Sequence, residues 1–212
     1  MTSSCGPDPE VRPIVPVEST APEVAPRKPH GGVRNAIEWL AVVAAAILVA
    51  LVISATSAQA FVIPSKSMES TLHVEDRVLV NKWSYRLHPI HRGDLVVFAR
   101  PKDLVSNDKD LIKRVIGLPG DKVAFADGHV HIDGKQLSEP YLDKGTVTSN
   151  VAGWRYQCTS QAPCVVPAGQ IWVMGDNRGD SEDSRYFGPI PQSSVVGRAM
   201  FRIWPPNRIG GL

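Results

Sequence analysis

Two short segments contain residues that could act together as a nucleophile and a base. Ser67 lies in the segment Pro64–Met68, and Lys113 lies in the apolar run Leu111–Gly117. A serine hydroxyl is a weak nucleophile at neutral pH unless a neighbouring base removes its proton. A lysine can be that base only when it is neutral, and burial among apolar groups lowers its pKa by disfavouring the charged form. The pair therefore indicates serine–lysine hydrolase chemistry.

Strand alternation sets the surroundings expected for Lys113. Alternate side chains of a strand point to opposite faces, so Lys113 shares a face with Leu111 and Val115. Two apolar neighbours would help to keep the amine neutral. An edge-strand lysine that only guards against aggregation fits the same pattern equally well.

The same alternation separates the residues around Ser67. Lys66 is adjacent to Ser67 but points the other way, so we do not expect it to be the base. Ser65 shares the face of Ser67, and its hydroxyl could help a backbone amide to hold an oxyanion. Taken alone, a serine that follows a proline often serves only a turn.

A third segment, Met174–Gly188, follows an apolar strand and is rich in acidic, hydroxyl and amide side chains. Asp183 and Arg185 are well placed for an ion pair. A hydroxyl at Ser181 or Ser184 could orient an amine. A solvated surface loop is the alternative interpretation.

These segments resemble the bacterial type I signal peptidases, membrane-anchored serine–lysine proteases that remove signal peptides. Four family boxes are matched in order, namely P-S-x-S-M-x-P-T-L, G-D-hydrophobic-V, K-R-hydrophobic-hydrophobic-G-hydrophobic-P-G-D and G-D-N-x-x-x-S-x-D-S-R. They correspond to Pro64–Leu72, Gly93–Phe98, Lys113–Asp121 and Gly175–Arg185. One departure is Ser70, which stands where the family usually has proline.

The resemblance implies a role for each matched residue. Ser67 would be the nucleophile and Lys113 the general base, while Ser65 and the Ser67 amide would form the oxyanion hole. The residues that would hold the lysine amine and brace its loop are Ser181, Asp183 and Arg185. Cleavage would follow Ala-x-Ala, in shallow apolar pockets lined by Phe61, Ile63, Met68, Leu72, Leu111 and Ile112. The resemblance implies no metal and no organic cofactor.

Most of the chain beyond residue 60 has the pattern of short β-strands. Runs of β-branched and apolar residues alternate with Gly, Pro and Asp clusters, which is typical of antiparallel sheets. The predicted strands are Arg77–Lys82, Asp94–Phe98, Leu111–Ile116, Lys122–Phe125, His129–Ile132, Ile171–Met174 and Val196–Trp204. We predict a mainly β protein, with an antiparallel catalytic domain over 59–212 and an inserted β-rich subdomain over about 122–172.

An uncharged stretch runs from Trp39 to Ile63. A transmembrane helix over 36–58 would be long enough to cross a bilayer. Basic residues precede it, which predicts a cytoplasmic N-terminus and a catalytic domain on the extracytoplasmic side of the plasma membrane. Ala58-Gln59-Ala60 also fits the end of a cleaved secretory signal, and a further hypothesis is self-cleavage after Ala60.

Composition restricts the remaining possibilities. The first 35 residues contain seven of the 18 prolines, which predicts a disordered cytoplasmic tail. A net charge of +2 without a basic stripe argues against nucleic acid as a partner. We expect signal peptides and membrane lipid as partners and a monomer as the default state. Cys158 and Cys164, with five residues between them, could form a disulfide in an oxidising compartment.

Other classes of protein explain the pattern less well. Ser106–Lys109 matches S-x-x-K of penicillin-binding enzymes, but it lies in a charged loop and no K-T-G follows. The self-cleaving SOS repressors have a related serine–lysine fold but are soluble and bind DNA. G-x-S-x-G is absent, and His129 and His131 lack an evident third metal ligand. A membrane-anchored binding module without catalysis is the remaining alternative.

Overall fold

The computed structural model describes residues 32–102, 104, 109–150 and 155–212. The chain divides into two units, Met1–Ala45 and Ala46–Leu212. Helix α1 spans Gly32–Ser57. A search of the described residues finds no helix with the length and apolar character needed to span a bilayer, so the predicted span over 36–58 is not shown. The predicted tail lies outside the described residues up to residue 31.

The described part of the second unit is built mainly from short strands, and it confirms the predicted antiparallel β class. The strands are β1 (Ala58–Val62), β2 (Arg77–Asn81), β3 (Leu95–Ala99), β4 (Asp110–Gly117), β5 (Lys122–Ala126), β6 (His129–Ile132), β7 (Lys135–Gln136), β8 (Cys164–Val165), β9 (Gln170–Met174), β10 (Ile190–Pro191), β11 (Val195–Trp204) and β12 (Gly210–Gly211). Short helices α2 (Ser84–Leu87) and α3 (Ser184–Phe187) and 3-10 turns at Lys66–Met68, Gln192–Ser194 and Pro206–Arg208 complete the described elements.

The strands form two antiparallel sheets. The larger has the order β1-β2-β11-β3-β4-β9-β10, with β12 paired to β11. The smaller has the order β7-β6-β5-β8 and falls within the insertion predicted over 122–172. The turn from β5 to β6 has positive φ at Asp127 (51°) and Gly128 (79°), as a tight hairpin with the twist of its strands requires.

Two features of the large sheet position the site. Strand β1 is an edge strand that pairs only with β2 in the described structure. Strand β4 is paired with β3 over Asp110–Arg114, whereas β9 joins its other side only from Arg114 onward. The first half of β4 therefore has one edge without a strand partner in the described structure. The bond after Ala60 lies inside β1, where Ala60 pairs with Leu79, so self-cleavage there would require β1 to leave the sheet.

Candidate active site

The fold brings the predicted nucleophile and base into contact. Ser67 lies in the 3-10 turn Lys66–Met68 that follows β1, and Lys113 lies in the middle of β4. Nζ of Lys113 is 2.5 Å from Oγ of Ser67. Both side chains are buried, with exposed fractions of 8% for Ser67 and 3% for Lys113. A neutral amine in this position could accept the serine proton directly.

Burial changes the acid–base behaviour of Lys113. Loss of hydration is the largest effect and lowers its pKa to about 8. The carboxylates of Asp183, Glu182 and Asp176 oppose this, because a nearby anion favours the ammonium form, while Arg185 assists it. Desolvation outweighs the anions, so a substantial neutral fraction is present near pH 8.

Ser65 lies beside the nucleophile, and its Oγ is 3.2 Å from Oγ of Ser67, where either hydroxyl could be the donor. It is exposed, unlike Ser67, and it borders the cleft described below. Lys66 is also exposed, unlike the buried Lys113.

The segment after β9 holds the backbone of the nucleophile. The amide of Asn177 donates to the carbonyl oxygen of Ser67 at 3.1 Å, and Nδ2 of Asn177 donates to the carbonyl oxygen of Lys66 at 3.2 Å. Gly175 allows this close approach, because a Cβ placed there would lie 2.4 Å from the Ser67 carbonyl oxygen and 2.1 Å from Oγ of Ser181. Only glycine fits without displacing the nucleophile.

The ion pair predicted between Asp183 and Arg185 is present and fully buried. Arg185 donates through Nε and Nη2 to the two carboxylate oxygens, each at 2.9 Å. Asp183 also accepts from the amide of Gly175 at 3.0 Å, and Arg185 Nη2 donates to the carbonyl oxygen of Arg178 at 2.9 Å. The pair thus fixes both ends of the segment that carries Asn177.

Ser181 differs from the expectation in its hydrogen bonding. Its side chain is buried, but Oγ has no hydrogen-bond partner within the described residues. The bond to the Lys113 amine is therefore not formed in this structure. The Ser181 hydroxyl instead lies in the space that the missing side chain of Gly175 leaves open.

A second buried ion pair supports β4, and the sequence reasoning missed it. Arg114 donates through Nε to Asp176 Oδ1 at 2.9 Å and through Nη2 to Asp176 Oδ2 at 2.6 Å. The hydroxyl of Thr71 donates to the same carboxylate at 2.5 Å. Arg114 follows Lys113 and Asp176 precedes Asn177, so the pair joins the lysine strand to the segment that holds Ser67. Both residues lie in the segments matched to the family, and this position was the available signal.

An apolar cleft opens beside the Ser67–Lys113 pair. Among the predicted pocket residues, four line it: Phe61, Ile63, Leu111 and Ile112. Met68 and Leu72 do not. Both have an exposed fraction of 0% and pack in the core with Ile63, because the 3-10 turn directs the side chains after Ser67 inward.

A second, more polar hollow adjoins the same two residues. Ser67 and Lys113 border it together with the carboxylates of Asp180 and Glu182. The reactive pair thus lies at the junction between an apolar cleft on one side and a polar hollow, which Lys66 also borders, on the other.

Cys158 and Cys164 form the predicted disulfide, with their Cα atoms 5.1 Å apart. Cys164 lies in β8, which pairs with β5, and the carbonyl oxygen of Cys158 accepts from the amide of Phe125 in β5 at 2.9 Å. The disulfide therefore closes a loop against the smaller sheet. It does not border the cleft or the hollow.

Comparison with known proteins identifies the family of this chain. The family described as "Signal peptidase, peptidase S26" matches residues 36–204. Signal peptidase I of Leptolyngbya laminosa is 37% identical over 203 residues, which cover 92% of this chain and 95% of that protein. Probable signal peptidase I-2 of Synechocystis sp. is 42% identical over 168 residues, covering 78% and 72%.

Among solved structures, a signal peptidase I from Enterococcus faecalis V583 aligns with 37% identity and a TM-score of 0.41, covering 52% of this chain and 97% of that one. That score is too low to support an argument about the fold. The family match spans most of the chain, so the protein belongs to the signal peptidase family, peptidase S26. Within it, the chain is a bacterial type I signal peptidase, a serine peptidase.

Proposed function

We propose that this enzyme removes N-terminal signal peptides from exported preproteins by cutting after Ala-x-Ala, with Ser67 as nucleophile and Lys113 as general base. The observation that carries the proposal is the contact of 2.5 Å between the buried Lys113 amine and the Ser67 hydroxyl, at the side of an apolar cleft. The family membership supplies the substrate class.

The reaction follows from the acid–base state of Lys113. The neutral amine takes the Ser67 proton as Oγ attacks the carbonyl carbon of the last signal-peptide residue. The resulting ammonium then gives its proton to the departing amine of the mature protein as the peptide bond breaks. In the second half, Lys113 takes a proton from water, which attacks the acyl ester. The ammonium then returns that proton to Ser67 Oγ as the ester bond breaks, which releases the signal peptide and restores the neutral amine.

Negative charge develops on the substrate carbonyl oxygen in both halves of the reaction. Ser65 Oγ, 3.2 Å from Ser67 Oγ, is in reach of that position. We assign Ser65 and the Ser67 amide to the oxyanion hole, since preorganised donors at this point lower the barrier. Asp183 and Arg185 support the reaction by fixing the segment that holds the Ser67 carbonyl.

The cleft suits an extended peptide with small side chains. The edge of β1 and the edge of β4 near Leu111 both border it, and neither has a strand partner there in the described structure. A peptide bound between them can extend the sheet by main-chain hydrogen bonds, while pockets for alternate side chains select the sequence. Phe61, Ile63 and Ile112 give the cleft an apolar lining, which would suit small apolar side chains such as alanine at alternate positions.

Attachment to a membrane is also part of the proposal, and it rests on the sequence. The stretch from Trp39 to Ile63 has no charged residue, and basic residues precede it. Such a stretch suits an anchor with the N-terminus inside and the catalytic unit on the extracytoplasmic side. An anchor of this kind would keep the cleft close to the apolar part of a signal peptide. We expect the chain to stay in the membrane fraction after washes at high salt and at alkaline pH. Deletion of residues 36–58 should abolish this association. A full-length chain that washes off would contradict it.

Cleavage by four forms of the detergent-solubilised chain tests the chemistry. Wild type should cut a preprotein after the second alanine of Ala-x-Ala, as read by mass spectrometry of the product termini. Ser67→Ala and Lys113→Ala should be inactive, whereas Lys66→Ala, which removes an adjacent but exposed amine, should remain active. Replacing either alanine of the substrate by phenylalanine should stop cleavage. Equal losses in the two lysine variants would refute the assignment of the base.

A further inference from the structure

Arg178 is a buried cation to which the mechanism above gives no role. Only 2% of the residue is exposed. Its Nε donates to the carbonyl oxygen of Gly175 at 3.1 Å, and its Nη1 donates to Glu139 Oε2 at 3.1 Å and to Thr148 Oγ1 at 2.5 Å. Its Nη2 donates to the other carboxylate oxygen of Glu139. A buried guanidinium is unfavourable without such a partner, so Glu139 and Thr148 determine where it lies.

The position of Arg178 reaches the nucleophile through the backbone. Gly175, which accepts from Arg178, lies against the Ser67 carbonyl with no room for a side chain. Two residues later the amide of Asn177 donates to that same carbonyl at 3.1 Å. Because this short segment and the Ser67 backbone are closely packed, a displacement of the segment also displaces the Ser67 backbone.

Glu139 belongs to a loop that contacts the other two segments of the site as well. The loop follows β7, and Tyr141 stacks against the Arg114 guanidinium, whose central carbon is 4.0 Å from the ring centroid. The backbone oxygen of Tyr141 accepts from Ser70 Oγ at 3.3 Å. This loop thus touches the turn after Ser67, the strand of Lys113 and the segment of Arg178.

We propose that Glu139 is a positioning residue for the Ser67 nucleophile and acts through Arg178. It does not border the cleft or the hollow beside the reactive pair, so its effect is on geometry rather than on substrate contact. The inference rests on the proposed function, since it concerns how accurately Ser67 Oγ is positioned for attack on the substrate carbonyl. A misplacement of even ~1 Å at a reacting centre lowers the rate by up to about a hundredfold.

The test compares kcat and KM of four full-length variants with those of wild type. Glu139→Gln removes the charge, and Thr148→Val removes one acceptor while keeping shape, so the second remains informative if the first fails to fold. The third is their double variant. Asp121→Asn is the matched control, because that carboxylate pairs with Arg92 at 3.0 Å beyond the far end of β4. Urea denaturation of each variant measures the accompanying loss of stability.

We expect kcat to fall about tenfold or more in Glu139→Gln and by less in Thr148→Val, with KM little changed. The fold decrease in kcat of the double variant should be smaller than the product of the two single decreases, because both substitutions release the same guanidinium. Asp121→Asn should lose stability but retain kcat. An unchanged kcat in Glu139→Gln, an effect on KM alone, or an equal loss in Asp121→Asn would overturn the inference. If wild type does not cleave, or Ser67→Ala does, the proposed function itself fails.

Discussion

The pH dependence of cleavage follows directly from the burial of Lys113. With a pKa of about 8, the neutral amine makes up about 1% of the enzyme at pH 6, about 9% at pH 7, half at pH 8 and about 90% at pH 9. Since only the neutral form can accept the Ser67 proton, kcat/KM should rise about tenfold from pH 6 to 7. The rise should be about fivefold from pH 7 to 8 and less than twofold from pH 8 to 9.

The exposed carboxylate of Glu182 allows the pH profile of kcat/KM to be shifted by a single substitution. Glu182 raises the pKa of Lys113, and it is exposed, so its removal should not disturb the fold. Glu182→Gln should shift the acid side of the profile to lower pH and raise the rate at pH 7 by roughly twofold, the modest size expected of a solvated charge. Asp180→Asn is the control, because Asp180 borders the same hollow but is not among the charges that dominate at Lys113.

The assay is kcat/KM on a short peptide ending its signal part in Ala-x-Ala, measured from pH 5.5 to 9.5 at constant ionic strength. A peptide without ionisable side chains keeps substrate titration out of the profile. A profile that is flat below pH 9 would refute the argument. So would one that still rises about tenfold between pH 8 and 9, as the ordinary lysine pKa of 10.5 requires. A shift to higher pH in Glu182→Gln would refute the sign of the electrostatic effect.

Substitutions at three further positions test the packing around the site. Asp176→Asn leaves buried Arg114 without its carboxylate and should cost about 3–5 kcal/mol in urea unfolding, whereas a cost under about 1 kcal/mol would contradict the buried pair. Gly175→Ala should abolish cleavage by displacing Ser67, and full activity would mean that the segment can yield. Ser70 has φ of 94°, which proline cannot adopt, so Ser70→Pro should destabilise the protein by at least about 1 kcal/mol. An unchanged midpoint of thermal unfolding in this variant would contradict the turn described after Ser67.

The strands that surround the site could be predicted because their signals are local. The observed bounds of β4, Asp110–Gly117, differ by one residue at each end from the predicted run Leu111–Ile116. The ion pair predicted between Asp183 and Arg185 also depends on neighbours in sequence. By contrast, β7, β8, β10 and β12 have only two residues each, too few for alternation to be recognised.

The contacts between distant segments could not be predicted in the same way. Arg114 and Asp176 are 62 residues apart, and Glu139 and Arg178 are 39 apart. Alternation indicates which face a side chain occupies but not which partner it meets there.

The family resemblance, and not alternation, assigned Met68 and Leu72 to the cleft wall, and it carries no local signal for how the chain turns after Ser67. Both were expected in the cleft wall and lie in the core. Ser70 shows the same limit. Its positive φ excludes the proline conformation, so the turn after Ser67 takes a different path from one that holds proline.

Trapping the acyl-enzyme tests the central claim most directly. The full-length chain is mixed with a signal-peptide ester, quenched in acid and mapped by mass spectrometry. The account predicts a peptidyl adduct on Ser67 in wild type and in Lys66→Ala, and none in Lys113→Ala. An adduct on Ser65 or on another residue, or turnover without any adduct on Ser67, would contradict the assignment of the nucleophile. An adduct that forms equally fast in Lys113→Ala would contradict the assignment of the base.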